Sequence, residues 1–255
     1  MLNPFVISEI NILSIHDTTM LEGLTSLYSE IHQCHKCPNM NREKAFRNTD
    51  AVAREMDVFI ISEALAPNQL RRSGVNFFQV DGVIGNTGKQ LEKFLNLFER
   101  TVFPPREITT SSDSIIEKRS DRMVSVYNTE IAQCFPGRKD NNQIRNPTKS
   151  EMRNCAEMCF IERELEIIRP KLVILMGKKS WSSFYEIILE KTLPQDNLSN
   201  RIEEICQQSE IPTECIGDYE FKCLPIQHAS GANPRFSQMI KNDTLVRLIK
   251  EVLDA

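Results

Sequence analysis

The sequence predicts a single α/β domain with a central parallel four-stranded sheet flanked by helices. Three observations carry this. Short apolar runs alternate with amphipathic stretches along the chain, the order that produces strand–helix–strand crossovers. The clearest of these runs are continuous, as in strands buried on both faces. The 255 residues, 40% hydrophobic and 26% charged, suffice for one large domain and are short for two.

The elements follow in order. Residues 1–20 read as an N-terminal extension to a domain spanning 21–255. Leu21, Leu24, Leu27, Tyr28 and Ile31 have the spacing of an amphipathic helix over 21–33, which delivers the chain into Cys34. Residues 57–62 (Asp-Val-Phe-Ile-Ile-Ser) form a buried strand. A helix with a glycine-rich start covers 86–98, with Leu91, Phe94, Leu95 and Phe98 inward. Polar, serine-rich 106–122 reads as a surface excursion, and 124–132 as a second strand. Thr148, with Glu151 three residues on, makes a capping box for a helix running to about residue 169 and carrying Cys155. Residues 171–177 give the clearest strand, followed by a helix through Trp181 and Phe184. A last strand over 221–226 leads into His228, and a helix over 245–253 closes the chain. Ligands of such sheets sit at the carboxyl ends of the strands. Glu63, the stretch 128–134 and His228 all fall there.

Composition narrows the function. No apolar run reaches the roughly 18 residues of a membrane span, and residues 1–16 lack a basic n-region and a small-residue cleavage site. A cytoplasmic, monomeric protein is expected. A net charge of −4 argues against a bulk polyanion binder but leaves room for a local basic surface. Eight cysteines without a secretion signal suggest metal-ligating or buried thiols instead of a disulfide framework. Cys34 and Cys37 share one tight turn, so both can reach one metal centre, and two distant single cysteines must close a four-thiolate site. Cys134 and Cys155 have suitable positions. Cys159, Cys206, Cys215 and Cys223 read mainly as fillers. The pair alone suits zinc, an iron–sulfur cluster or a redox dithiol.

The surrounding residues resemble the iron–sulfur, family 4 type of uracil-DNA glycosylase, over roughly residues 34–235. The most specific stretch runs from Pro147-Thr148 through Cys155 to Arg169-Pro170-Lys171, an apolar strand and Gly177. Cys34-His35-Lys36-Cys37-Pro38, with Arg42 after it, resembles the family's first cysteine pair. Cys134-Phe135-Pro136-Gly137 is similar to its Lys-Cys-Arg-Pro-Pro segment. Ser62-Glu63-Ala64-Leu65-Ala66-Pro67 is similar to the Gly-Glu-Ala-Pro-Gly loop, Gly74-Val75-Asn76-Phe77 to Gly-x-Pro-Phe, and the stretch from Gly85 through Gly88 to Leu91 to the next helix start. His228-Ala229-Ser230, continuing to Asn233-Pro234-Arg235, resembles the His-Pro-Ser loop, with alanine in place of proline.

This resemblance implies a [4Fe–4S] cluster on Cys34, Cys37, Cys134 and Cys155, with a structural role and with Cys159 as the rival for the fourth position. It implies a DNA glycosylase that rotates a pyrimidine nucleotide out of the duplex and hydrolyses its N-glycosidic bond. Phe77 would stack on the base, with its neighbour Phe78 as a substitute. His228 would donate to the base O2, and Glu63 would orient water and stabilise the oxocarbenium-like sugar. Ser230, Asn233 and Arg235 in the histidine loop, with Arg71, Arg72, Arg138 and Lys139, would meet phosphates. No lysine stands at a motif position, so Schiff-base chemistry is not indicated.

One departure has chemical content. The family places an asparagine four residues before its third cysteine, to read the uracil edge. Here Glu130 stands there, with Asn128 two residues earlier on the same strand face. An ionised carboxylate only accepts hydrogen bonds, which suits the N4 amino group of a cytosine-type base and repels the O4 of uracil. With Glu130 as reader the target is a modified cytosine, such as those of some phage genomes, and the protein a defence enzyme. With Asn128 as reader the target is uracil. The altered glycine loop and the extra segments 106–122 and 190–220 fit a reshaped pocket. A DNA-binding homologue without catalysis and a zinc-stabilised enzyme of other chemistry are the alternatives.

Overall fold

The computed structural model describes residues 6–38, 40, 47–53, 55–64, 73–118 and 122–255, with backbone alone over 6–18. Arg42, the loop 65–70, Arg71 and Arg72 lie outside the described residues.

The main sheet has five strands: β1 (Val58–Ala64), β2 (Tyr127–Ala132), β3 (Leu172–Met176), β4 (Thr213–Ile216) and β5 (Tyr219–Ile226). Their order is β2-β1-β3-β5-β4. The first four are mutually parallel, as expected. The expected count of four is corrected by β4, which pairs antiparallel with β5 as a hairpin. The pairing Ile216↔Tyr219 leaves a two-residue loop, and Gly217 at its first position has φ +58°, which only glycine adopts without strain. That turn lies in a stretch without a long apolar run, so the hydrophobic pattern alone concealed the strand.

Eight α-helices are described: α1 (Val6–Gln33), α2 (Asn86–Leu95), α3 (Lys149–Ala156), α4 (Phe160–Ile168), α5 (Lys178–Ser183), α6 (Leu198–Gln208), α7 (Pro234–Met239) and α8 (Asp243–Asp254). Helix α1 starts well before residue 21, and Leu24, Leu27 and Ile31 are buried at helical spacing. The helix expected over 148–169 is two. The capping box forms as predicted, with Thr148 Oγ1 accepting from the Glu151 amide and the Glu151 carboxylate accepting from the Thr148 amide. The helix then breaks at Cys159, which adopts φ +51° while its amide tightens back onto Ala156. The break lets α3 present Cys155 inward while α4 packs against α1.

The surface excursion, described over 106–118, carries a short hairpin. Ile108–Thr109 pairs antiparallel with Ile115–Ile116, and Ile108 and Ile116 are buried. The core gathers around β1 and β3, whose residues from Val58 to Ile61 and from Leu172 to Met176 are almost wholly inaccessible. No helix among the described residues is long and apolar enough to cross a membrane.

Candidate active site

The carboxyl ends of β1 and β3, the middle of β2 and the loop after β5 open onto one cleft of about 420 Å³. Ser62, Glu63 and Ala64 reach it from β1, Asn128 and Glu130 from β2, Met176 and Gly177 from β3, and His228 from beyond β5. Phe77, buried and at φ +68°, forms part of the wall. A phenylalanine in that conformation is strained and persists only where its surroundings fix it. Gly88 does so. A Cβ at Gly88 would lie 2.7 Å from the Cβ of Phe77, so only glycine lets α2 come this close. Gly177, at φ +91°, likewise admits His228, whose Cβ would lie 3.4 Å from an added methyl.

Each expected residue can now be placed. Glu63 is half-buried and pairs with Lys179 at 3.2 Å. His228 is exposed at the mouth, yet the protein around its ring desolvates the imidazole and lowers its pKa below the usual histidine range. A neutral ring with one N–H is the form this favours. Phe78 is fully buried, packs edge-on against Phe103 at 5.0 Å and does not line the cleft. Asn233 caps α7, accepting from the Arg235 amide and donating to the His228 carbonyl, so its side chain shapes the loop. Ser230 is half-buried. Arg138, Lys139 and Arg235 are exposed and stand outside the lining.

Asn128 and Glu130 sit in different company. Asn128 Oδ1 accepts from Asn76, and among the described residues its Nδ2 has no partner. Glu130, 4% exposed, pairs with the buried Arg47 at 2.8 Å. Arg47 also donates to the Asn128 carbonyl, Thr129 Oγ1 and Gln133 Oε1. A second carboxylate, the wholly buried Glu164, stands 3.8 Å from the same guanidinium and accepts from the Tyr127 hydroxyl. Burial raises the pKa of both acids, against the pull of Arg47, and Glu130 is pushed up to about 7. Two buried carboxylates facing one cation retain protons that exposed ones release.

On the other side of β2, a small hollow is lined by Cys34, Cys37, Cys134 and Cys155 together with Ile31, Met40 and Phe160. Burial, and then the nearness of the other three thiols, push Cys155 up to about 12. Cys159 is exposed and outside the hollow. Among the described residues no three His, Cys, Asp or Glu side chains stand close enough to share a single metal ion. Glu151, gripped by Arg145 through two hydrogen bonds of 2.6 and 2.7 Å, ties this hollow to the cleft that Arg145 lines.

A family model described as the uracil DNA glycosylase superfamily matches residues 49–253. The chain belongs to this superfamily. It is a DNA glycosylase by that membership. A type-4 uracil-DNA glycosylase of Saccharolobus solfataricus is 24% identical over 244 residues, covering 92% of this chain and 88% of the relative.

For a glycosylase of this superfamily, the cleft and its network also draw on residues to which the sequence pattern gave no role, among them Asn76, Lys178, Lys179, Arg145, Glu164 and Arg47. Asn76 lay inside a motif already quoted, and Lys178 and Lys179 directly follow a strand end, so both carried a positional signal. Arg47 carried none. Its partners are more than 80 residues away in sequence.

Glu130 sets a pH dependence. Its folded pKa of about 7 lies above the unfolded value of 4.5, so between these the folded protein keeps a proton that the unfolded chain has lost. This contribution to stability is present below pH 4.5 and is lost as pH rises to 7, the reverse of a salt-bridged surface acid. Urea unfolding from pH 4.5 to 7 should show this fall superimposed on other titrations. Glu130→Gln should remove it, and an unchanged slope in that variant would show that Glu130 does not hold the proton.

Proposed function

We propose that this chain is a monofunctional DNA glycosylase that excises a cytosine-type base, with Glu130 reading the 4-position. The observation that carries the proposal is the single cleft shared by Glu63, Phe77, Glu130 and His228. Bond cleavage builds positive charge on the sugar and negative charge on the leaving base, and a cleft stabilises it with groups fixed beforehand. Phe77 supplies a stacking face. Neutral His228 donates to the base O2 as charge collects there. Glu63 orients the attacking water and faces the oxocarbenium-like sugar. Lys178 and Lys179 bring positive charge to the rim, where a phosphate of the flipped nucleotide would pass.

Glu130 accepts from an exocyclic amino group when ionised, a state that Arg47 favours against the burial that opposes it. Excision of ordinary cytosine would destroy the host's own DNA, so the target is a modified cytosine of the kind found in some phage genomes, and the role antiviral defence. A second reading rests on the unpartnered Asn128 amide, a donor suited to the O4 of uracil; under it the protein is a uracil-DNA glycosylase of base excision repair.

The four clustered cysteines fit a [4Fe–4S] cluster. The hollow gathers four cysteines among Ile31, Met40 and Phe160 and the polar His35, Lys36, Gln133 and Asn154, a donor set of four thiols suited to a cluster of several irons. Bound there, a cluster would be held by Cys34, Cys37, Cys134 and Cys155 and would tie the 34–37 turn to the end of β2 and to α3. Cys155→Ala should lose the broad absorption near roughly 400 nm expected of iron–thiolate charge transfer and unfold at lower temperature, while Cys159→Ala should keep both. The opposite pattern would move the fourth ligand to Cys159.

The catalytic assignment predicts that Glu63→Gln and His228→Ala each lower base release by about 10²-fold or more with DNA binding retained. A wild-type rate in either variant removes that residue from the mechanism. Base identity is tested with duplexes carrying different pyrimidines, scored for abasic sites. Activity on cytosine-derived bases and little on uracil is expected, with Glu130→Asn moving preference toward uracil. Robust uracil excision unaffected by Glu130→Ala would establish the Asn128 reading.

A further inference from the structure

We infer that the hairpin 137–145 at the rim of the cleft enters the duplex, with Ile144 filling the gap that a rotated nucleotide leaves in the base stack. This rests on the reading above that the cleft receives a flipped base, and it is independent of which base that is. Val83, Leu97, Ile115 and Ile144 are the large apolar side chains exposed among the described residues. Of these only Ile144, 46% exposed, lines the cleft. Its neighbours on the hairpin, from Arg138 to Gln143, are all polar or charged. A lone exposed isoleucine needs no explanation on an ordinary surface. Here it stands at an opening through which a nucleotide must pass.

The hairpin holds that side chain in place from several sides. Arg138 and Ile144 pair antiparallel, so their side chains share one face. The Lys139 amide donates to the Gln143 carbonyl at 2.8 Å, and the Asn142 amide donates back to the Lys139 carbonyl at 2.9 Å. This closes a turn in which Asn142 takes φ +62°, a region that asparagine tolerates better than most residues. The Arg138 guanidinium donates to the Asn142 carbonyl, and the Asn141 side chain accepts from the Gln143 amide. At the base of the hairpin the Arg145 amide donates to the Gly137 carbonyl, while Glu151 grips the Arg145 guanidinium. Pro136 and Pro147, both buried, flank the whole segment. A side chain carried on such an element loses little freedom on insertion.

Position and charge agree. A nucleotide reaches the cleft only if its duplex lies across the mouth, which brings the rim against the base pairs beside the vacated position. Proteins insert apolar side chains, isoleucine among them, between base steps, because these fill the stack without demanding hydrogen bonds. Arg138 and Lys139 are exposed on the same hairpin, where backbone phosphates would flank the inserted side chain, and they outweigh Asp140. The loop after His228 offers no rival. It carries Ala229, Ser230, Gly231 and Ala232, of which Ala229 is buried, and none has the bulk to replace a base.

The test uses the full-length protein and a duplex carrying a tetrahydrofuran abasic analogue, in which the gap exists with no base to excise. The wild-type protein should bind it at least about tenfold more tightly than the same duplex with every base present. Ile144→Ala should narrow that ratio toward one, and Ile144→Leu should keep it, with thermal unfolding showing that both variants are folded. Release of uracil and of 5-hydroxymethylcytosine supplies a second readout. Ile144→Ala should lower the ratio of duplex to single-strand release at least about tenfold, because a single strand has no stack to refill. An abasic preference that is absent from the wild-type protein, or that survives Ile144→Ala, overturns the insertion and leaves the cleft residues in their roles. An abasic preference lost in Ile144→Ala, with neither base released from any strand, upholds the insertion and returns the choice of base to other pyrimidines.

Discussion

The guanidinium of Arg47 lies buried against β2, the outer strand on one side of the sheet. The Asn128 carbonyl on that strand accepts from Arg47 and Asn76 in place of a neighbouring strand, so the edge is covered instead of left open for pairing. The same cation faces Glu130 and Glu164 and lies over the Tyr28 ring at 5.6 Å. Taking three ionisable groups out of water is costly, and such an arrangement is held for what it specifies more than for net stability. What it specifies here is the direction and charge of the side chains that β2 brings to the cleft.

The cysteine hollow and the cleft share a wall. Gln133 accepts from Arg47, donates to Thr129 and to the Glu130 carbonyl, and lines the hollow beside Cys134. Its backbone hydrogen bond reaches Cys155. On the other side Arg145 and Glu151 join the start of α3 to the cleft. Gln133 thus links the cysteine hollow to Arg47, Thr129 and Glu130 through direct contacts.

Strain is concentrated at the cleft as well. Phe77 sits in a left-handed conformation against Gly88, whose lack of a side chain lets α2 approach it closely. A ring held in this way loses little freedom when the cleft is filled. The neighbouring Phe78, in contact with Phe103, belongs to the core.

Sequence alone determined the α/β class, the parallel direction of the main strands, the capping box at Thr148 and that Glu63, the stretch 128–134 and His228 lie at strand ends. These follow from local periodicity and from the geometry of parallel sheets, which brings carboxyl ends to one edge whatever the intervening loops. It also singled out the four cysteines that converge. Tertiary structure decided the rest. The hairpin strand β4 arose from a two-residue turn in a polar stretch, and the helix break at Cys159 from the packing of α4 on α1. Whether Glu130 is a solvated acceptor or a buried acid near pH 7 depends on Arg47 and Glu164, which are distant in the chain and adjacent in space. Charge state in a low-dielectric interior is set by neighbours, and neighbours are what a linear pattern does not record.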